Sequence, residues 1–230
     1  MPKHIGIVAC SAEGAALCYT NICTIAPEEM GRKHAHPEVS MHTHPFSDYV
    51  RLMEAGNWHG VAALMLSSEA KLAKAGAELI ICPDNTIHRV YDEVVGKGRL
   101  PWLHIAEEVA KEAKKKGYKK VGLIGTTYTM ASDFYPDKLA ELDIEQEIPG
   151  DKDRELINKI IFDELVAAQF TATSRAYFTA VINDLAERGC EAVVLGCTEI
   201  PLIVTSDTSP LPLLDSTRLL SRAALRASLA

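Results

Sequence analysis

This 230-residue chain lacks long apolar runs: no stretch reaches the roughly 18 residues that a membrane-crossing helix needs, so a membrane partner is not expected. Basic charge is also in deficit, with 24 Lys and Arg against 31 Asp and Glu and a net charge of -7. Without a positive field there is little to draw phosphate backbones, so nucleic acid is not an expected partner. Cysteine is sparse. The six residues Cys10, Cys18, Cys23, Cys82, Cys190 and Cys197 form no C-x-x-C pair and are too few for a disulfide scaffold. The opening Met1-Pro2-Lys3-His4 lacks the order of charged, apolar and cleavable regions that marks a signal peptide, so a reducing cytoplasm is the expected compartment. Glycine-rich phosphate loops are missing too. Gly6 is followed by Ile7-Val8-Ala9-Cys10-Ser11, which fits neither the dinucleotide fingerprint nor the Walker pattern, so neither nicotinamide nor nucleoside triphosphate is expected. Small molecules remain.

What is present is 47% apolar residues, enough for a substantial core in one large or two small domains. Short β-branched or apolar runs alternate with longer amphipathic ones, the pattern of βα units around a parallel sheet buried on both faces. Strands are expected near Ile5–Cys10, Glu38–His42, Leu79–Cys82, Trp102–Ile105, Lys120–Gly125, Ile144–Ile148, Ala192–Gly196 and Pro212–Leu214. The clearest helices are Val61–Ala75, Ala106–Gly117, Arg154–Ala168, Ser174–Gly189 and Thr217–Leu229. Three of them end at or just before a glycine, a left-handed C-cap. The run Lys111–Lys116 beside Glu107-Glu108 reads as a solvated helix face.

The sequence also repeats itself. Leu72 to Ile81 matches Leu185 to Val194 without a gap, at an offset of 113 residues. His4-Ile5-Gly6-Ile7-Val8 matches Lys120-Val121-Gly122-Leu123-Ile124, and Leu100-Pro101-Trp102-Leu103 matches Leu211-Pro212-Leu213-Leu214, at nearly the same offset. Three collinear matches argue duplication. The expected fold is therefore α/β, with two pseudo-symmetric Rossmann-like domains, each a mainly parallel sheet flanked by helices, and an active-site cleft between them. The expected boundaries are 1–102 with 215–230, and 103–214.

Ligands of parallel sheets bind beyond the carboxyl ends of the strands. The offset of 113 sets Asp84 against Cys197, Asn85 against Thr198 and Thr86 against Glu199. One proton-transferring group on each wall of a cleft is what stereoinversion at carbon needs, one base removing a proton and an acid returning one on the opposite face. A cysteine suits this work when its thiolate is stabilised, as at a helix N-terminus. The same loop donors could bind a carboxylate and the enolate-like charge that follows deprotonation. Asp84 before Asn85-Thr86 is equally well placed as an N-cap.

Gly196-Cys197-Thr198-Glu199-Ile200-Pro201, together with Asp84-Asn85-Thr86-Ile87-His88, resembles the aspartate/glutamate racemase superfamily. The resemblance extends to Ile5-Gly6-Ile7, Val121–Thr129 and Asp215-Ser216-Thr217, nearly the whole chain. It implies a pyridoxal-free isomerase, without cofactor or metal, in which two side chains exchange protons with the α-carbon of an amino acid. Cys197 and Asp84 would be the catalytic pair. Asn85, Thr86, Thr127 and Thr198 would bind the α-carboxylate, Ser11, His42 and Glu199 would complete the substrate contacts, and a homodimer would be the assembly.

Two features depart from the superfamily. Asp84 stands where a cysteine is usual, and a carboxylate with a reference pKa near 3.9 is a feeble base toward carbon unless burial raises it. The stretch His42-Thr43-His44-Pro45-Phe46-Ser47 has no arginine where one usually meets an acidic side chain. Cys82 is a second candidate thiol, although Pro83 interrupts the strand that would align it with Asp84. The pairs His34/His36 and His42/His44 invite a metal reading, but no neighbouring cysteine completes a tetrahedral set. Besides racemisation, two readings stay open: a single-cysteine decarboxylase or cis-trans isomerase of a dicarboxylic acid, and a catalytically impaired amino-acid-binding protein.

Overall fold

The computed structural model describes residues 1–230. The chain forms two compact units, Met1–Ile105 with Thr217–Ala230, and Ala106–Ser216. The first contains β1 (Ile5–Ala9), α1 (Ala12–Glu29), β2 (Val39–Thr43), α2 (Phe46–Glu54), α3 (Trp58–Lys74), β3 (Leu79–Ile81) and α4 (Tyr91–Lys97). Next come α5 (Ile105–Lys116), β4 (Lys120–Gly125), α6 (Thr127–Met130), α7 (Phe134–Ala140), β5 (Glu145–Glu147), α8 (Asp151–Asp163), α9 (Ala172–Glu187), β6 (Ala192–Gly196) and β7 (Leu213–Asp215). The final helix, α10 (Ser216–Leu229), returns to the first unit.

Both sheets are parallel, ordered β2-β1-β3 in the first unit and β5-β4-β6-β7 in the second. The central strands β1 and β6 are buried along their whole length, as continuous apolar runs covered on both faces must be, and β4 is buried from Val121 onward. In the first unit alternate residues serve two cores. Val8, Cys10, Ile80 and Cys82 pack with Tyr49, Met65 and Leu72 on one face, while Ile5, Ile7, Leu79 and Ile81 pack with Cys18, Ile22, Leu220 and Ala224 on the other.

The duplication is visible in register. Gly6 pairs with Ile80 in one sheet and Gly122 with Val193 in the other, the same partners at the repeat offset. A Cβ on Gly6 would lie 3.3 Å from Cβ of Leu72, and one on Gly122 2.8 Å from Cδ1 of Leu185. Each glycine thus admits a leucine of the helix that precedes its partner strand, α3 before β3 and α9 before β6. That helix ends alike in both units, with Gly76 at φ +97 and Gly189 at φ +87, and the following amide bonded back to Leu72 O and Leu185 O at 3.0 Å. The expected glycine caps are present, Gly117 at φ +82 included.

Two expected elements differ in form from what the sequence suggests. Trp102–Ile105 supplies only one parallel bridge, between Trp102 and Ile80, and Ile105 already begins α5. Pro101 has no amide to donate, and the Arg99 and Leu100 amides are taken by Oε1 of Glu69 at 2.5 and 3.0 Å. The helix expected over Arg154–Ala168 starts earlier, at Asp151, and stops at Asp163. A 3₁₀ turn at Leu165–Ala167 follows and closes on Ala168 in the left-handed region, at φ 55. Glu164 receives the Thr171 and Ser174 hydroxyls, which commits this corner to the start of α9.

Glu69 is only 3% exposed, and it also accepts Trp102 Nε1–H at 3.1 Å. Three donors therefore depend on one carboxylate. Glu69→Ala leaves the buried Trp102 indole N–H and the less buried Arg99 and Leu100 amides without this acceptor and is expected to cost about 2 kcal/mol of stability. Urea unfolding followed by tryptophan fluorescence measures this, and a loss under about 0.5 kcal/mol would contradict the assignment.

Candidate active site

In the second unit the ends of β4 and β6 are both glycines, and they are paired. A Cβ on Gly125 would sit 2.8 Å from the Gly196 carbonyl oxygen, so only glycine allows the strand ends to approach this closely. Cys197 follows Gly196 directly and is half-buried. Its thiol donates to Oε2 of Glu199 at 2.9 Å, and the Thr198 hydroxyl donates to the same oxygen at 2.7 Å. Thr198 and Glu199 are 4% exposed, so this carboxylate works away from bulk water. After β4, the Thr126 side chain caps α6 by accepting the Thr129 amide. The Thr127 amide and hydroxyl both donate to Oδ1 of Asn158 on α8.

In the first unit the loop after β3 occupies the corresponding place. Oδ2 of Asp84 accepts the amide of Cys10 at 3.3 Å and that of Ser11 at 3.0 Å, where β1 ends and α1 begins. The carboxylate is thus held in the N-terminal field of an 18-residue helix, a site that favours negative charge. Ser11 is 9% exposed and its hydroxyl has no hydrogen-bond partner. Asn85 is buried and Thr86 half-buried at the start of a 3₁₀ turn, Thr86–Val90.

His88, on that turn, bonds through Nδ1 to the Asp84 carbonyl oxygen at 2.9 Å. Burial pushes its pKa down to about 4, so the ring is neutral and donates this proton. An unfolded His88, with a value near 6.5, takes up a proton on acidification that the folded residue refuses until about pH 4. Stability is therefore intact above pH 6.5 and falls by about 3 kcal/mol between there and pH 4. Urea titrations across this window test the effect, and His88→Asn is expected to flatten the slope.

The other histidines serve elsewhere. His42 bonds to Ser68 Oγ through Nδ1 and to Lys71 Nζ through Nε2, each at 2.9 Å, so it turns onto α3. His44 bonds to Ser67 at 3.2 Å and meets the His42 ring edge-on at 4.9 Å. Burial and the Lys71 charge lower the pKa of both. His36 bonds to the Pro37 carbonyl instead, and no three His, Cys, Asp or Glu side chains gather as a metal-holding group. Cys82 is fully buried, and burial drives its pKa well above the ordinary thiol value; its sulfur takes a hydrogen bond from the Asp84 backbone. It supports the loop as a thiol.

Sequence reasoning assigned no role to His88, although its spacing four residues after Asp84 is the available signal. Glu199 was read as a substrate contact, and the structure makes it the hydrogen-bond acceptor of Cys197. Asn158, which fixes Thr127, lies 31 residues away in sequence with no local sign of its function.

Paired parallel α/β units flanked by helices make up the fold of solved racemases, which are isomerases. This chain belongs to the Asp/Glu/Hydantoin racemase family, whose sequence profile matches residues 6–224. A Yersinia pestis crystal structure, provisionally described as an Asp/Glu racemase, is 33% identical with a TM-score of 0.90, covering 99% of this chain and 100% of that one. An aspartate racemase homologue from Pyrococcus horikoshii is 30% identical with a TM-score of 0.85, over 99% and 100% of the two chains. The broad specificity amino-acid racemase RacX of Bacillus subtilis is 25% identical over 166 residues, 72% of this chain and 71% of that protein. None of the three is described as a decarboxylase, a cis-trans isomerase or a binding protein.

Proposed function

We propose that this protein racemises an amino acid by moving the α-proton between Cys197 and Asp84, using no chemistry beyond that of its own side chains. The observation that carries the reading is the Cys197 thiol bonded to the Glu199 carboxylate at the end of β6, in a chain of the racemase family. The repeat adds Asp84 at the matching strand end of the other unit.

In this reading Glu199 accepts the thiol proton, and the Cys197 thiolate then takes the α-proton from one face of the substrate carbon. The electron pair left on carbon spreads into the α-carboxylate, which the loop groups Ser11, Asn85, Thr86, Thr127 and Thr198 bind and stabilise by hydrogen bonding. Asp84, in its acid form, returns a proton to the other face. The reverse direction exchanges the two roles. Racemisation has an equilibrium constant of one, so kcat/KM must be equal for the two enantiomers even though a thiol and a carboxylic acid differ as acids. The inequality of the two groups shows in kcat and KM separately.

Incubating the protein with single enantiomers in deuterated water tests the proposal. Deuterium at the α-carbon of the inverted product is the expected result, read by NMR and chiral chromatography. A panel of amino acids with neither label nor inversion would refute it.

A further inference from the structure

Within the second unit, the donors of the loop after β4 are already taken up, and what remains free there points to a further substrate contact, given the racemase reading on which this inference rests. Thr127 offers two donors, its amide and its hydroxyl, and both go to Oδ1 of Asn158, at 3.0 and 3.2 Å. A hydroxyl has only one proton to donate, so neither donor of Thr127 is left for a ligand. A backbone N–H can only donate, so the end of the Asn158 amide that faces Thr127 must be the oxygen. Its Nδ2, carrying two N–H groups, is thereby turned away from Thr127. That nitrogen makes no hydrogen bond within the protein and is not enclosed.

The place suits a ligand. Thr127 lies two residues beyond the carboxyl end of β4, and Asn158 comes from α8 to meet it there, beside the buried Ile157 and Ile161. Ligands of parallel sheets bind at this end.

The internal repeat sharpens the contrast. At the offset that sets His4–Val8 against Lys120–Ile124, Thr127 corresponds to Ser11. The Ser11 amide is held by Asp84, yet its buried hydroxyl has no partner. The first unit thus keeps a free hydroxyl at this position. In the second unit the hydroxyl is bound, and the free donor is the amide that it holds.

We infer that Asn158 is a substrate-binding residue, its Oδ1 anchored by Thr127 and its Nδ2 donating to the α-carboxylate. Thr127 takes part in carboxylate binding by orienting this amide.

Asn158→Asp is the deciding variant. An aspartate still accepts from the Thr127 amide and hydroxyl, so the loop stays anchored, but it places a negative charge where the NH2 group stood. In α-proton exchange kcat/KM is expected to fall by about tenfold or more, the scale of a lost hydrogen bond to a charged group, and to fall through KM more than kcat. A kcat/KM within about twofold of the parent, or a loss confined to kcat, overturns the inference and leaves the racemase reading standing. If the parent exchanges no amino acid, the racemase reading falls, and binding decides the role of Asn158 separately. The side-chain NH2 resonances of Asn158, identified by their loss in Asn158→Asp, are followed in proton–nitrogen correlation spectra of the parent during titration with acetate, and with acetamide as the neutral control. A saturating shift with acetate and none with acetamide supports the inference. No shift, or equal shifts with both, overturns it. This second measurement uses the parent protein and holds even if the variant fails to fold.

Discussion

Replacing Cys197 with serine is expected to lower α-proton exchange by roughly 10³-fold while leaving the fold intact, because general acid–base groups contribute on this scale. A serine hydroxyl can still donate to Glu199, so the loop after β6 keeps its bonds and the loss is chemical. What disappears is a group acidic enough to pass its proton to a carboxylate and then act as a base toward carbon. Circular dichroism and the urea midpoint are expected to match the parent within error. Exchange within about tenfold of the parent would mean that another group takes the α-proton and would remove Cys197 from the mechanism.

Asp84→Asn has the second large effect, and its form is more informative than its size. The asparagine oxygen can still accept the Cys10 and Ser11 amides, so the start of α1 stays in place, but the side chain can no longer deliver a proton. Inversion is expected to fall by roughly 10²–10³-fold. The enantiomer whose α-proton faces Cys197 is expected to keep exchanging with solvent deuterium, without inversion. One-sided labelling of that kind separates a lost second acid from a collapsed site. If labelling and inversion fall together, or inversion persists, Asp84 is not the opposing acid. Asp84→Cys, which installs a thiol, is the complementary variant.

Much of this architecture was legible in the residues. The matched stretches around Gly6 and Gly122 and around Gly76 and Gly189 reported a shared structural need, close helix-to-strand packing and a left-handed turn, so the duplication and the parallel sheets could be read from them. The placement of Asp84 and Cys197 beyond strand ends followed from the same logic. Helix α1 was not among the clear ones because all but one of its buried positions are small, with Gly14, Ala15, Cys18 and Ala26 around a single Ile22 giving a faint apolar stripe. Contacts that join distant parts of the chain left no periodic trace. Glu69 reaching Trp102, Asn158 reaching Thr127 and His42 turning to Ser68 are each decided by tertiary packing.

Helix α10 carries a consequence for biosynthesis. Leu220 and Ala224 fill one face of the first sheet, the Ser221 hydroxyl bonds Sγ of Cys18 at 3.2 Å, and Ser228 bonds Lys3 at both carbonyl and amide. Strand β1 leaves the ribosome well before α10 and therefore waits, half covered, until that helix emerges, whereas the sheet of the second unit is built from one uninterrupted stretch. Long-range closure of this kind is slow relative to local assembly. Pulse-labelled hydrogen exchange during refolding is expected to protect the amides of β4 and β6 before those of β1, so the half of the protein that holds the thiol matures first.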